Sequence, residues 1–177
     1  NVIINYMSKK ELLDLLEGLK PFPHQNRPNI RRDPKKRPEG FVLGKIRNWA
    51  HHQKVYGLDK YADSAKTKTK RYEEIYRVAK ELMRKHNPNF KFTSIQVNKN
   101  NRTAKHKDGY NVGESYMIGL GNYTGGELTI FDEDDKNPKT YQTKNKWIKF
   151  NGSIYPHQTE PFTGDRYTLV YYDIIKK

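Results

Sequence analysis

His106 and Asp108 stand two positions apart in the run His106-Lys107-Asp108, a spacing that lets an imidazole and a carboxylate point inward from one turn toward the same ion. A second imidazole, His157, follows in Ile154-Tyr155-Pro156-His157, and Arg166 comes in Gly164-Asp165-Arg166-Tyr167-Thr168. Two neutral imidazoles and one carboxylate occupy one face of a metal and leave the opposite face open, a donor set suited to Fe(II). A guanidinium about one strand later offers a planar fork that fits a carboxylate bidentately. Spacing alone leaves a plainer reading open at each position. His106 and Asp108-Gly109 also suit an ordinary turn, His157 a buried hydrogen-bonding histidine, and Arg166 a strand residue paired with Asp165.

The text between these residues narrows the choice. Asn111-Val112-Gly113-Glu114-Ser115 follows the first pair, then Met117-Ile118-Gly119-Leu120-Gly121 and Tyr123-Thr124-Gly125-Gly126-Glu127-Leu128. The stretch closes with Trp147-Ile148-Lys149-Phe150-Asn151-Gly152, His157 and Glu160-Pro161-Phe162-Thr163-Gly164-Asp165-Arg166-Tyr167. This pattern resembles the double-stranded β-helix core of the 2-oxoglutarate/Fe(II) dioxygenase superfamily, and within it the compact members grouped with the TET/JBP nucleobase dioxygenases. The resemblance is carried by residues 92–173.

The resemblance implies one α+β domain over residues 1–177. Its jelly-roll, cupin-like double-stranded β-helix core would span 92–177, and 1–91 would form a helical and basic N-terminal support that buttresses it. It also implies that His106, Asp108 and His157 hold Fe(II), that Arg166 pairs with the distal carboxylate of 2-oxoglutarate, and that O2 is the oxidant, with ascorbate as a helper. Thr168 and Tyr123 are candidates for a further hydrogen bond to the cosubstrate. Asn111 and Ser115 match recurrent positions of the resembled core as active-site support. The implied reaction is hydroxylation of a C–H bond, such as the methyl of thymine or 5-methylcytosine in nucleic acid. Two alternatives remain: a prolyl or lysyl hydroxylase acting on protein, and a nucleic-acid-binding module with a vestigial iron site.

Composition sets the outer bounds. The 177 residues are enough for one domain with a real core. The absence of cysteine excludes disulfides, zinc–thiolate sites and thiol nucleophiles, and fits a reducing compartment. No apolar run approaches a membrane span and no signal peptide shows at the start, so the expected location is intracellular, cytoplasmic or nuclear, rather than secreted. Lys+Arg 34 against Asp+Glu 20 gives a net charge of +14, which draws polyanions at long range and makes DNA or RNA the expected partner. Tyr-rich aromatic content supplies stacking surfaces for such a partner, or core.

The flanking elements must position this chemistry. Val2-Ile3-Ile4 reads as an edge strand. Ser8 and Glu11 read as a capping box ahead of the leucine stripe Leu12, Leu13, Leu15, Leu16 and Leu19, which Pro21 stops. Residues 21–40 are Pro-rich and basic without an apolar period, an extended loop. Its Arg27, Arg31, Arg32, Lys35, Lys36 and Arg37 form either a phosphate-gripping arm or a solvated connector. Phe41 to Arg47 reads as a strand, and His51, His52 and residues 66–71 as surface. Tyr72, Ile75, Tyr76, Ala79, Leu82 and Met83 fall at helical spacing over Lys70 to His86, with acid early, base late and Asn87-Pro88 after. Strands are expected over 92–98, 115–121, 126–131, 146–150, 153–157 and 167–173, with Asn122 to Gly125 as a tight turn. Asp132-Glu133-Asp134-Asp135 lacks the glycine-spaced pattern of a calcium loop and reads as an exposed hairpin loop.

Overall fold

A computed structural model describes residues 2–176. The leucine stripe lies in helix α1, Val2–Glu17. The run Val2-Ile3-Ile4 continues this helix and is not an edge strand (Asn1 lies outside the described residues). Extending an existing helix adds a hydrogen bond for each residue fixed, whereas a lone apolar triplet needs a strand to pair with. Ser8 consequently sits inside the helix, not at its cap. It is buried, and its Oγ accepts from Lys85 Nζ at 2.9 Å, so the capping box does not form.

After a short 3-10 turn at Pro28–Ile30 comes β1, Glu39–Arg47. Helix α2, Ala50–Tyr56, and strand β2, Tyr61–Asp63, follow where the sequence shows no apolar period; no residue of α2 is buried. Helix α3, Lys70–His86, has the expected bounds and buries Tyr72, Ile75, Val78, Ala79, Leu82 and Met83.

The remaining strands are β3 (Ser94–Lys99), β4 (Ser115–Leu120), β5 (Tyr123–Gly125), β6 (Leu128–Ile130), β7 (Lys139–Tyr141), β8 (Ile148–Phe150), β9 (His157–Thr159), β10 (Phe162–Gly164) and β11 (Tyr167–Tyr172). Two expectations need correction. The segment expected as a tight turn holds β5, because Tyr123–Gly125 finds a partner in β10, with Gly125 opposite Phe162. The strand expected over 153–157 begins only at His157, because the Asn151 side chain accepts from both the backbone N–H and the hydroxyl of Ser153 and holds a turn there. Residues 132–135 do form an exposed loop between β6 and β7, closed by Asp132 Oδ1 accepting from the backbone of Asp134 and Lys136.

The strands assemble into antiparallel sheets: a six-stranded one in the order β2-β1-β3-β11-β4-β8, a three-stranded one, β7-β6-β9, and the β10-β5 pair. Alternation along the large sheet sorts its residues. Phe41 and Leu43, Ile95 and Val97, Ile118 and Leu120, and Tyr167, Leu169 and Tyr171 form one buried cluster with Leu12, Leu16 and Leu19 and the buried face of α3. Alternate residues turn the other way, where Met117 meets Leu128, Ile148 and Phe150, with Val170 packed alongside. The cavity described below opens on this second face. Tyr171, fully buried, ties the helical layer to the central strand by donating to the Ala79 carbonyl at 2.6 Å. Tyr171→Phe should therefore cost about 1–2 kcal/mol, read as a lowered urea midpoint at unchanged slope.

Candidate active site

The chain leaving β3 crosses to the small sheet and runs beside β9. Thr159 N donates to Thr103 O at 3.2 Å, and His106 and His157 form an antiparallel bridge in which each backbone N–H donates to the other's carbonyl at 3.0 Å. This pairing sets two imidazoles, far apart in sequence, side by side with ring centroids 4.4 Å apart. Each ring is fixed in the same way: His106 Nδ1 meets Ala104 O at 2.7 Å and His157 Nδ1 meets Tyr155 O at 2.9 Å. A carbonyl only accepts, so Nδ1 carries the proton and Nε2 directs its lone pair toward the partner residues.

Asp108 completes the set. Its backbone N–H donates to Gly152 O at 2.9 Å, and its own carbonyl accepts from Asn111 N at 3.1 Å. The carboxylate lies 3.5 Å from His106 Nε2 and 3.2 Å from His157 Nε2. One ligand atom from each residue lies within 4.8 Å of the others. Three lone-pair donors converging in this way repel one another unless a cation stands between them, and two nitrogens with one oxygen fit Fe(II). Gly152 permits the approach: a Cβ there would lie 2.7 Å from Asp108 Oδ2 and 3.1 Å from His157 Cε1.

The three donors line a cavity with a free volume of about 180 Å³. This is smaller than the roughly 300–1,000 Å³ of sites that enclose a drug-sized ligand, so a small acid fits within and a larger substrate presents only its tip. Arg166, Thr168, Val170 and Tyr172 of the β11 region line it at period two, opposite Gln96 and Asn98 of β3. Arg166 is 3% exposed, and burial pushes its guanidinium down to about 10, so it stays cationic at neutral pH. One Nη donates to Gly126 O at 2.9 Å, while Nε has no partner. Among the described residues no carboxylate pairs with it. Gly126 (φ +72°) makes room, since a Cβ there would lie 2.6 Å from Arg166 Nε.

The other predicted residues divide. Thr168 lines the cavity, its Oγ1 accepting from Asn98 Nδ2 at 3.1 Å. Asn111 and Arg27 line it as well. Tyr123 does not: its hydroxyl pairs with Thr143 Oγ1 at 2.9 Å, and its ring lies 5.7 Å from the Arg166 guanidinium. Ser115 is buried outside the cavity lining, its Oγ without a partner. Arg31, Arg32, Lys36 and Arg37 line a separate groove that shares Asn101 with the cavity, and exposed Lys35 lines neither. The sequence reading missed Gln96, Asn98, Met117, Phe150 and Tyr172. Alternation in β3, β4 and β11 was the available signal, but it does not say which face encloses the site.

Gly152→Ala should weaken Fe(II) or Mn(II) binding about 10–100-fold, as loss of a supporting contact to a ligand does. Calorimetric metal titration checks this, with circular dichroism to confirm the fold; unchanged affinity would remove the close approach from the account.

No family model and no curated protein matches the chain. Solved structures do. An oxidoreductase of the 2OG-Fe(II) oxygenase family from Burkholderia pseudomallei superposes with a TM-score of 0.57 at 12% identity, over 92% of this chain and 76% of that one. A prolyl hydroxylase from Trichoplax adhaerens, in complex with a hypoxia inducible factor peptide fragment, gives 0.55 at 12%, over 95% and 79%. NgTET1 in complex with 5mC DNA gives 0.54 at 13%, over 97% and 67%. At these identities the likeness is one of fold: a mixed α/β chain whose antiparallel sheets are consistent with a jelly-roll core like that of these oxygenase structures.

Proposed function

We propose that the protein is an Fe(II)- and 2-oxoglutarate-dependent dioxygenase that hydroxylates the methyl of a pyrimidine base, thymine or 5-methylcytosine, in nucleic acid. One observation carries the oxygenase part: the His106, Asp108 and His157 donor set shares a small cavity with Arg166, a buried cation without a carboxylate partner. Such a cation is costly until an anion meets it, and the distal carboxylate of 2-oxoglutarate supplies one. Thr168 already accepts from Asn98, which leaves its own hydroxyl proton free for the same carboxylate. Iron, when bound, supplies the O2 chemistry that side chains lack. The chain's own part is positional. The Ala104 and Tyr155 carbonyls orient the imidazoles, Met117, Leu128, Phe150 and Val170 dry one wall, and α1 and α3 buttress the far face of the large sheet.

The nucleic-acid part rests on the net charge of +14, on Arg27 at the cavity, and on the fold shared with a structure that holds 5mC DNA. Since the cavity admits only the tip of a substrate, a base must leave its stack to reach the donors. The fold likeness to a prolyl hydroxylase, at 0.55, supports protein as the second candidate substrate.

The deciding assay incubates methylated DNA and RNA with the protein, Fe(II), ascorbate and 2-oxoglutarate, and follows nucleosides by mass spectrometry alongside succinate. A nucleoside with one added oxygen, absent without 2-oxoglutarate, is the expected product. Succinate with no modified nucleoside would turn the search to protein substrates. His157→Ala should abolish turnover with the fold retained, and persisting activity would sink the metal assignment. Arg166→Ala should weaken 2-oxoglutarate by about 2–5 kcal/mol, because it leaves a buried carboxylate unpaired. An unchanged KM for 2-oxoglutarate would place that carboxylate elsewhere.

A further inference from the structure

The groove next to the cavity is lined by Arg31, Arg32, Lys36, Arg37 and Arg102, with Asp33 as its one acidic residue and Phe162 on its wall. Among the described residues none of these five cations has a carboxylate within ion-pair distance. Arg31 donates from Nη1 to Pro34 O at 3.2 Å, but its Nε is buried without a partner. Like charges concentrated this way repel, and a solvated connector would let them spread. Here they are held. Ile30, 2% exposed, anchors the loop in the protein, its carbonyl accepting from Ala104 N at 3.0 Å. Arg32 Nε donates to Thr103 O at 3.3 Å, and Gln25 N to Pro38 O at 2.9 Å closes the loop at its base.

The floor is equally fixed. Asn100 accepts from Arg166 N at 2.7 Å and donates to Asp165 at 3.0 Å, while Asn101 bonds both backbone groups of Glu39. The groove meets the cavity at Asn101, and the same basic loop places Arg27 in the cavity lining. Cations thus line both parts of the joined path, Arg27 in the cavity and the other five in the groove. A chain carrying one negative charge per unit, with planar groups between, matches such a path. Arginine forks grip phosphate oxygens in pairs, and the half-buried ring of Phe162 gives a base a face to stack on.

We propose that this groove is a phosphodiester-binding subsite, which holds the single strand adjoining the nucleotide whose base enters the cavity. The proposal rests on the nucleic-acid part of the function above and is independent of the iron chemistry.

The test is anisotropy of a labelled single-stranded oligonucleotide against salt. It compares the parent protein with Lys36→Gln/Arg37→Gln/Arg102→Gln and with Lys70→Gln/Lys80→Gln/Lys91→Gln. All six residues are exposed, so both variants should fold, and both lose the same net charge. The groove variant should lose about a hundredfold in affinity near 0.1 M salt and about two units of the log–log salt slope; the control should change little. Equal losses in both variants, or retained affinity in the groove variant, would overturn the subsite. So would displacement of the oligonucleotide by polyglutamate at lower concentration than by unlabelled strand. Metal and 2-oxoglutarate binding to the groove variant, measured by calorimetry, should equal the parent's. Strand binding lost in the groove variant, with no nucleoside oxidised by the parent, keeps the subsite and removes base oxidation. Oxidation by the parent with undiminished binding by the groove variant does the reverse.

Discussion

Three lone-pair donors that face one another out of bulk water are the constraint on which the rest of this structure depends. His106 and His157 each donate a hydrogen bond from Nδ1–H to a carbonyl, so both Nε2 lone pairs turn toward the Asp108 carboxylate. A cation among them relieves that repulsion, and the backbone holds the donors in place for it. That hold is the antiparallel bridge between the two histidines, reinforced by Thr103 against Thr159. The chain crossing after β3 and the start of β9 at His157 serve that bridge, and the missing side chain at Gly152 lets Asp108 approach.

The second constraint is the face the large sheet gives to the cavity. Strand β11 lies between β3 and β4, and its residues serve two masters by alternation: Leu169 and Tyr171 pack under the helices, while Thr168 and Val170, with Arg166 just before the strand, turn to the cavity. A buried guanidinium without a carboxylate is a destabilising feature for folding alone, since its hydrogen bond to Gly126 O offsets only part of the desolvation. Its retention beside a metal-type donor set makes sense if an anion from outside completes it. The missing side chain at Gly126 leaves room for this group, and the Phe162 ring lies 5.6 Å from its guanidinium.

Local pattern carried α3 and the large strands. In α3 the apolar spacing, the basic last turn and Asn87-Pro88 agree, and the helix runs Lys70–His86 as read. The N-terminus misled because Val2-Ile3-Ile4 is apolar but short, and helix continuity overrode its strand preference. Tyr123–Gly125 misled because a glycine-bearing segment between two strands reads as a turn unless its partner, β10, is known to lie beside it. Strands β7 and β10 were illegible for a related reason: each is three residues long, too short for alternation to register.

By itself, then, the sequence determined the donor types, a His-x-Asp pair with a distant His and Arg, and the strongly basic loop of residues 27–37. These follow from residue chemistry and short-range spacing, which no fold can alter. Only the tertiary structure decided that His157 meets His106, that Arg166 is buried and unpaired, and that Gln96 and Asn98 face a cavity instead of solvent. It also decided that the basic loop joins Arg102 and Phe162 in one groove. Those outcomes depend on pairings between segments more than fifty residues apart, such as Thr103 with Thr159, and on which side of a sheet is covered. Alternation says that two faces differ; packing alone says what each one meets.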